Sequence, residues 1–148
     1  MKETEKIIQQ LEASFNGVPW YGSSVKEILN EVTPVIAAKK VSEHTHSIVE
    51  LVLHMIAWRN FVVWKLKGVE FEMTDELNFP KPIEWRMAVS LLEQSQQGLI
   101  AAIKSFRERD LSKEVPNRKY DFSHLLYGII QHDIYHLGQI ALLRKALQ

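Results

Sequence analysis

At 148 residues the chain has the length of one domain, residues 1–148, large enough to bury about two thirds of its unfolded surface without staples. It has no cysteine, which excludes disulfides, thiolate metal ligands and a cysteine nucleophile, so any metal must be held by nitrogen and oxygen. Eighteen basic residues balance eighteen acidic ones, with no basic run longer than Lys39-Lys40, and this predicts no nucleic-acid partner.

The charged start, Met1 to Lys6, lacks the apolar stretch of a signal peptide, and no apolar run approaches the ~20 residues of a membrane span. A cytoplasmic protein with no membrane partner is expected. Ile7, Ile8, Leu11 and Phe15 recur at helical spacing and predict a first helix over residues 1–15, stopped by Asn16-Gly17. Trp20 and Tyr21, beside the following break, are expected to plug one end of the core. Ser24-Val25-Lys26-Glu27 forms a capping-box pattern that restarts the helix to about residue 30, and Thr33-Pro34 opens a short turn up to Ala38.

Ser47-Ile48-Val49-Glu50 is a second capping box, and the apolar pattern behind it runs to Gly68, giving a long helix over 47–67. Residues 69–81 show no regular period and read as a long loop, with Phe79 folded over the bundle end. Trp85, Ala88, Val89, Leu92, Leu99, Ile103 and Phe106 recur at threes and fours and predict a helix over 83–109, in which Gly98 permits a close approach or a bend. Asp121 or Ser123 caps the last helix, which runs to the end of the chain. Four long amphipathic helices without a strand pattern imply an all-α four-helix bundle. The two long connections leave the order of the helices open.

The last helix carries the chemistry. In Gln131-His132-Asp133-Ile134-Tyr135-His136-Leu137-Gly138-Gln139 two histidines stand four residues apart, so their Cβ atoms are roughly 5 to 6 Å apart on one face. That face also holds Leu125, Ile129, Ile140, Leu143 and Leu147, so both imidazoles point inward. A zinc-like site wants at least three protein ligands. His54, on the same face as Leu51, Trp58 and Phe61, is the candidate third. Three inward histidines are a costly way to build a core unless something binds them, whereas a lone one is explained by a hydrogen bond. Glu50 and Asp133 are candidate supports for the site, each with a simpler role as helix cap or interhelical partner, and Gln139 faces the same way as His136. His44, His46 and His124 read as surface or capping residues.

These segments resemble the DinB-like (DinB/YfiT) family of metal-binding helical bundles. The resemblance rests on Trp20-Tyr21-Gly22, on Ser47-Ile48 with His54 and Trp58, on Phe79-Pro80, and above all on His132-Asp133-Ile134-Tyr135-His136-Leu137-Gly138-Gln139-Ile140. It implies an up-down-down-up bundle, a metal triad of His54, His132 and His136, a divalent cofactor such as zinc or nickel, and homodimerisation, for which Trp64 is a surplus aromatic. It further implies a transferase or isomerase working with a small-molecule thiol such as bacillithiol, mycothiol or glutathione, and a small electrophile. No catalytic residue beyond the triad is assigned.

Three neutral imidazoles leave a bound cation an open coordination position, which suits catalysis better than a sealed structural role. Competing readings are a metal-dependent hydrolase, with Asp133 or Glu50 as its general base, and a metal- or ligand-binding stress protein without turnover. His132 to His136 also resembles H-E-x-x-H, but aspartate is one methylene short and no later His, Asp or Glu supplies a ligand. Glu43-His44-Thr45-His46, the one match to a di-iron motif, falls in a loop, and the absence of a Soret band would remove a haem bundle.

Overall fold

The computed structural model describes residues 1–148 and contains helices α1 (Glu3–Asn16), α2 (Val25–Asn30), α3 (Pro34–Ala38), α4 (Ile48–Leu66), α5 (Asp75–Asn78), α6 (Trp85–Ser105) and α7 (Phe122–Leu147), with a 3-10 turn at Glu108–Asp110. There is no strand, only an isolated bridge between Glu114 and Asp121. No helix is long and apolar enough to cross a membrane.

The helix ends follow local chemistry. Ser47 Oγ accepts from the Glu50 amide while the Glu50 carboxylate accepts from the Ser47 amide, closing the expected capping box, and Gly68 takes φ 70° just past the end of α4. Thr33 caps α3 with Pro34 at its first position, and Asp121 accepts the His124 amide at 2.8 Å to start α7. At Ser24 only half of the box forms: its hydroxyl accepts from the Glu27 amide.

The long helices α1, α4, α6 and α7 make the bundle. α4 packs on both α6 and α7, and α1 closes the ring by packing on the same two. Directions follow from the cross-links. Tyr127 hydrogen-bonds Glu3, so α1 and α7 start at the same end, whereas the beginning of α4 lies against the end of α7, where His54 meets His136. Leu66 and Lys67 lie beside Ala101, Ala102 and Ser105, so α4 and α6 run the same way. The order is up-down-down-up.

Two apolar clusters fill the bundle. One holds Ile48, Val52, Met55, Trp85, Leu92, Leu137 and Ile140; the other holds Ile7, Leu11, Phe61, Leu99, Ile103, Leu126 and Ile130. Between their levels on three helices stand Arg59 of α4, Gln96 of α6 and Asp133 of α7, all buried. Arg59 donates through Nε and Nη2 to Asp133 Oδ2, at 3.0 and 2.7 Å, and through Nη1 to Gln96 Oε1 at 2.7 Å. Gln96 Nε2 in turn donates to the Leu11 carbonyl, so one polar chain ties together all four long helices. Removing one partner would strand a buried charge, which is why such a layer enforces register more than it adds stability.

Several local expectations change. Residues 69–81 are not all loop, because Thr74 accepts the Leu77 amide at 3.2 Å and starts the single turn α5. Trp20 is 100% exposed and plugs nothing. A Cβ at Gly98 would meet nothing within 4 Å, so no close approach requires that glycine. Trp64 packs edge-on against Phe71 of its own chain, with ring centroids 4.1 Å apart. Phe79 stacks on the His54 ring.

Candidate metal centre

α7 turns its most buried stripe, Leu126, Ile130, Asp133, Leu137 and Ile140, toward the bundle axis. His132 and His136 therefore occupy the shoulder beside that stripe, where α7 meets α4. Leu143 and Leu147, placed with them on the inward face by periodicity, are only partly buried. His54, buried on α4, completes the group.

The three rings come together closely. Centroids are 4.6 Å apart for His54 and His136, 5.0 Å for His54 and His132, and 4.5 Å for His132 and His136. One nitrogen from each lies within 4.8 Å of the others, and no other set of three or more His, Cys, Asp or Glu side chains meets this geometry.

Hydrogen bonds select the tautomers. His54 Nδ1 lies 2.7 Å from the Asn78 carbonyl, which only accepts, so that nitrogen carries the proton and Nε2 keeps its lone pair. His136 Nδ1 lies 2.7 Å from Gln139 Oε1, which assigns its proton in the same way. His132 Nε2 stands 3.1 Å from His54 Nε2. Two nitrogens this close need something between them: a proton on His132 Nε2, or a cation that both lone pairs share. Ligands at 2.0 to 2.1 Å from a tetrahedral centre are about 3.3 Å apart, close to the observed spacing. The donor set fits a divalent cation.

Electrostatics prepares the same role. Burial, helped by the charges of His136, His54 and Arg59, pushes His132 down to about 3, and burial lowers His54 against the upward pull of the Asn78 carbonyl. Both rings are neutral at neutral pH, the form a metal requires. His132 Nδ1 is the one buried histidine nitrogen without a partner.

Around the triad stands a shell that sequence reading largely missed. α5 delivers Asn78, whose side chain accepts the Trp58 indole N–H at 2.8 Å while its carbonyl holds His54. Phe79 lies parallel between His46 and His54, at 3.8 and 4.2 Å between centroids. His46 is thus part of a three-ring stack, steadied by Glu50 at 3.2 Å. Glu50 is committed to its cap, His46 and Lys40, and Asp133 to Arg59, so neither carboxylate orients a histidine of the triad. His44 is exposed beside Glu43. A concavity of about 600 Å³ lies across the bundle on the α1/α6 seam, where it is lined by Lys26, Glu93 and Gln96 and has no metal-ligating set.

A sequence profile described as the DinB superfamily matches residues 23–140. The chain belongs to the DinB superfamily. Among solved structures it is similar to the colibactin self-resistance protein ClbS, determined in complex with double-stranded DNA, at TM-score 0.70 and 17% identity over 98% of this chain and 97% of that one. It is also similar to the DinB-like protein YjoA of Bacillus subtilis, at TM-score 0.67 and 20% identity over 95% and 90%. At these identities the likeness establishes the DinB fold. A comparison with curated proteins finds no match.

The ClbS complex corrects one expectation. Balanced charge over the whole chain does not exclude a nucleic-acid partner for a DinB bundle, since a protein of the same fold is seen with duplex DNA. Whole-chain charge was the wrong measure, because phosphate contacts need only a local set of cations.

Proposed function

We propose that the protein is a metal-dependent S-transferase that joins a low-molecular-weight thiol, such as bacillithiol, mycothiol or glutathione, to a small electrophile. One divalent ion, zinc or nickel, is held by His54, His132 and His136. The observation that carries this reading is the convergence of three imidazole nitrogens within 4.8 Å, two of them with their second nitrogen already bound to an acceptor.

A divalent cation on neutral imidazoles supplies Lewis acidity that keeps a thiol deprotonated and nucleophilic. The protein's own groups do the positioning. The Asn78 carbonyl and Gln139 Oε1 keep the Nδ1 protons of His54 and His136 turned away from the ligand side, and the Trp58 indole holds Asn78 in place. With no cysteine in the chain, the sulfur must come from the co-substrate. Its proton leaves to solvent, sulfur bonds the electrophilic carbon, and the leaving group departs with the former bonding pair.

Hydrolysis is disfavoured because it needs a general base within reach of the substrate, and Glu50 is held in its cap while Asp133 is buried against Arg59. The test is turnover of metal-loaded protein with each thiol and 1-chloro-2,4-dinitrobenzene, beside His136→Ala. Conjugate formation that depends on His136 supports the reading, and equal rates in both proteins with every thiol reject it. Duplex DNA is a second candidate ligand, supported by the ClbS complex. Fluorescence anisotropy with a labelled duplex, at about 50 and 200 mM salt, tests it through the loss of affinity that phosphate contacts require.

A further inference from the structure

His136, His132, Gly128 and His124 follow one another at every fourth residue of α7, so they form a single column on its surface. Two members serve the candidate metal centre. Gly128 leaves a gap in the column one turn away, and a Cβ built there would meet nothing within 4 Å. The gap opens into a cavity of about 230 Å³ between α4 and α7, with Trp58, Phe61, Leu125 and Ile129 as walls and His132 as a lining residue shared with the triad. Trp58 and Phe61 meet edge to face at 5.0 Å, and the Trp58 ring lies 6.1 Å from His132. Toward the helix start, Tyr120 and His124 rest on each other at 5.1 Å. From His132 to His124 the slot runs about 12 Å along the helix.

We propose that this slot binds a single-ring aromatic group, the apolar portion of the electrophile that the adjoining centre receives. Volume and lining select the occupant. A closed apolar cavity of about 150 Å³ holds benzene, so a slot of about 230 Å³ has room for a substituted single ring. No Lys, Arg, Asp or Glu lines it, so the lining favours an uncharged flat ring, which gains contact with Trp58. The identity of the occupant as electrophile rests on the thiol-transfer reading; the existence of the slot does not.

The test uses 4-nitrotoluene, which has no leaving group and quenches indole fluorescence, titrated into the full-length protein. Saturable quenching is expected in the wild type, at least tenfold weaker in Gly128→Leu, which fills the slot from a position with free space, and intermediate in Gly128→Ala. Thermal melting of each variant reports folding, and both replacements remove a helix-interior glycine. Unsaturable quenching in the wild type, or equal affinity in wild type and a folded Gly128→Leu, overturns the proposal; if Gly128→Leu does not fold, unchanged affinity in Gly128→Ala does so. Slot binding that persists in a protein unable to transfer thiol counts against the transfer reading alone.

Discussion

Gln139 Oε1 receives the Nδ1 proton of His136 and so decides which ring nitrogen is free to ligate. Gln139→Leu keeps the size and helix preference but removes the acceptor, and metal affinity should fall about 10- to 100-fold. Competition against a graded chelator measures this, and an unchanged affinity would show that His136 is oriented by packing alone. The Asn78 carbonyl does the same for His54 but cannot be deleted by a side-chain change. His132 titrates instead. Its folded value of about 3 lies below the ordinary 6.5, so between these values the unfolded chain binds a proton that the folded one refuses. Stability of the metal-free protein should therefore decline as pH falls from about 6.5 toward 3. Urea midpoints at about pH 7 and pH 5 should drop less in His132→Asn than in the wild type, and equal drops would place the pH sensitivity elsewhere.

At the scale of elements, the decisive piece is one turn long. Four residues of α5 suffice to bring Asn78 and Phe79 against His54. Thr74→Ala removes the cap, worth about 1 kcal/mol, from a helix with no other turn to share the loss. The Leu77 amide should exchange faster and the metal should dissociate faster, with little change in global stability. Unaltered metal release would mean that the Trp58 bond to Asn78 holds the segment without the cap. The cap was legible in Thr74-Asp75-Glu76, but Pro80 and Pro82 just behind it and the lack of any apolar period concealed so short a helix. The triad was easier to read, because His132 and His136 share a helical face and His54 interrupts an apolar one. Arg59 was also readable: it falls in the stripe of Val52, Met55 and Val62, as Asp133 falls in that of Leu126, Ile130, Leu137 and Ile140. Opposite charges embedded in two core-facing stripes imply each other. The stacking of His46 on Phe79 left no such trace, since both belong to connectors whose paths periodicity does not describe.

Across the whole molecule, the layer of Arg59, Asp133 and Gln96 links the four long helices, and the histidine triad sits beside that layer on the α4/α7 seam. Asp133→Ala leaves the Arg59 guanidinium buried without its counter-charge and should cost about 3 to 5 kcal/mol in denaturant unfolding. The double change Arg59→Met with Asp133→Leu should recover most of that loss, and failure to do so would mean that the pair is needed for the fold and not only for register. The central claim is that this bundle exists to hold one ion. Elemental analysis of protein freed of loosely bound metal tests it most directly. The account predicts about one equivalent of a divalent transition metal per chain in the wild type and near none in a folded His132→Ala, whereas equal metal content in the two proteins would contradict it.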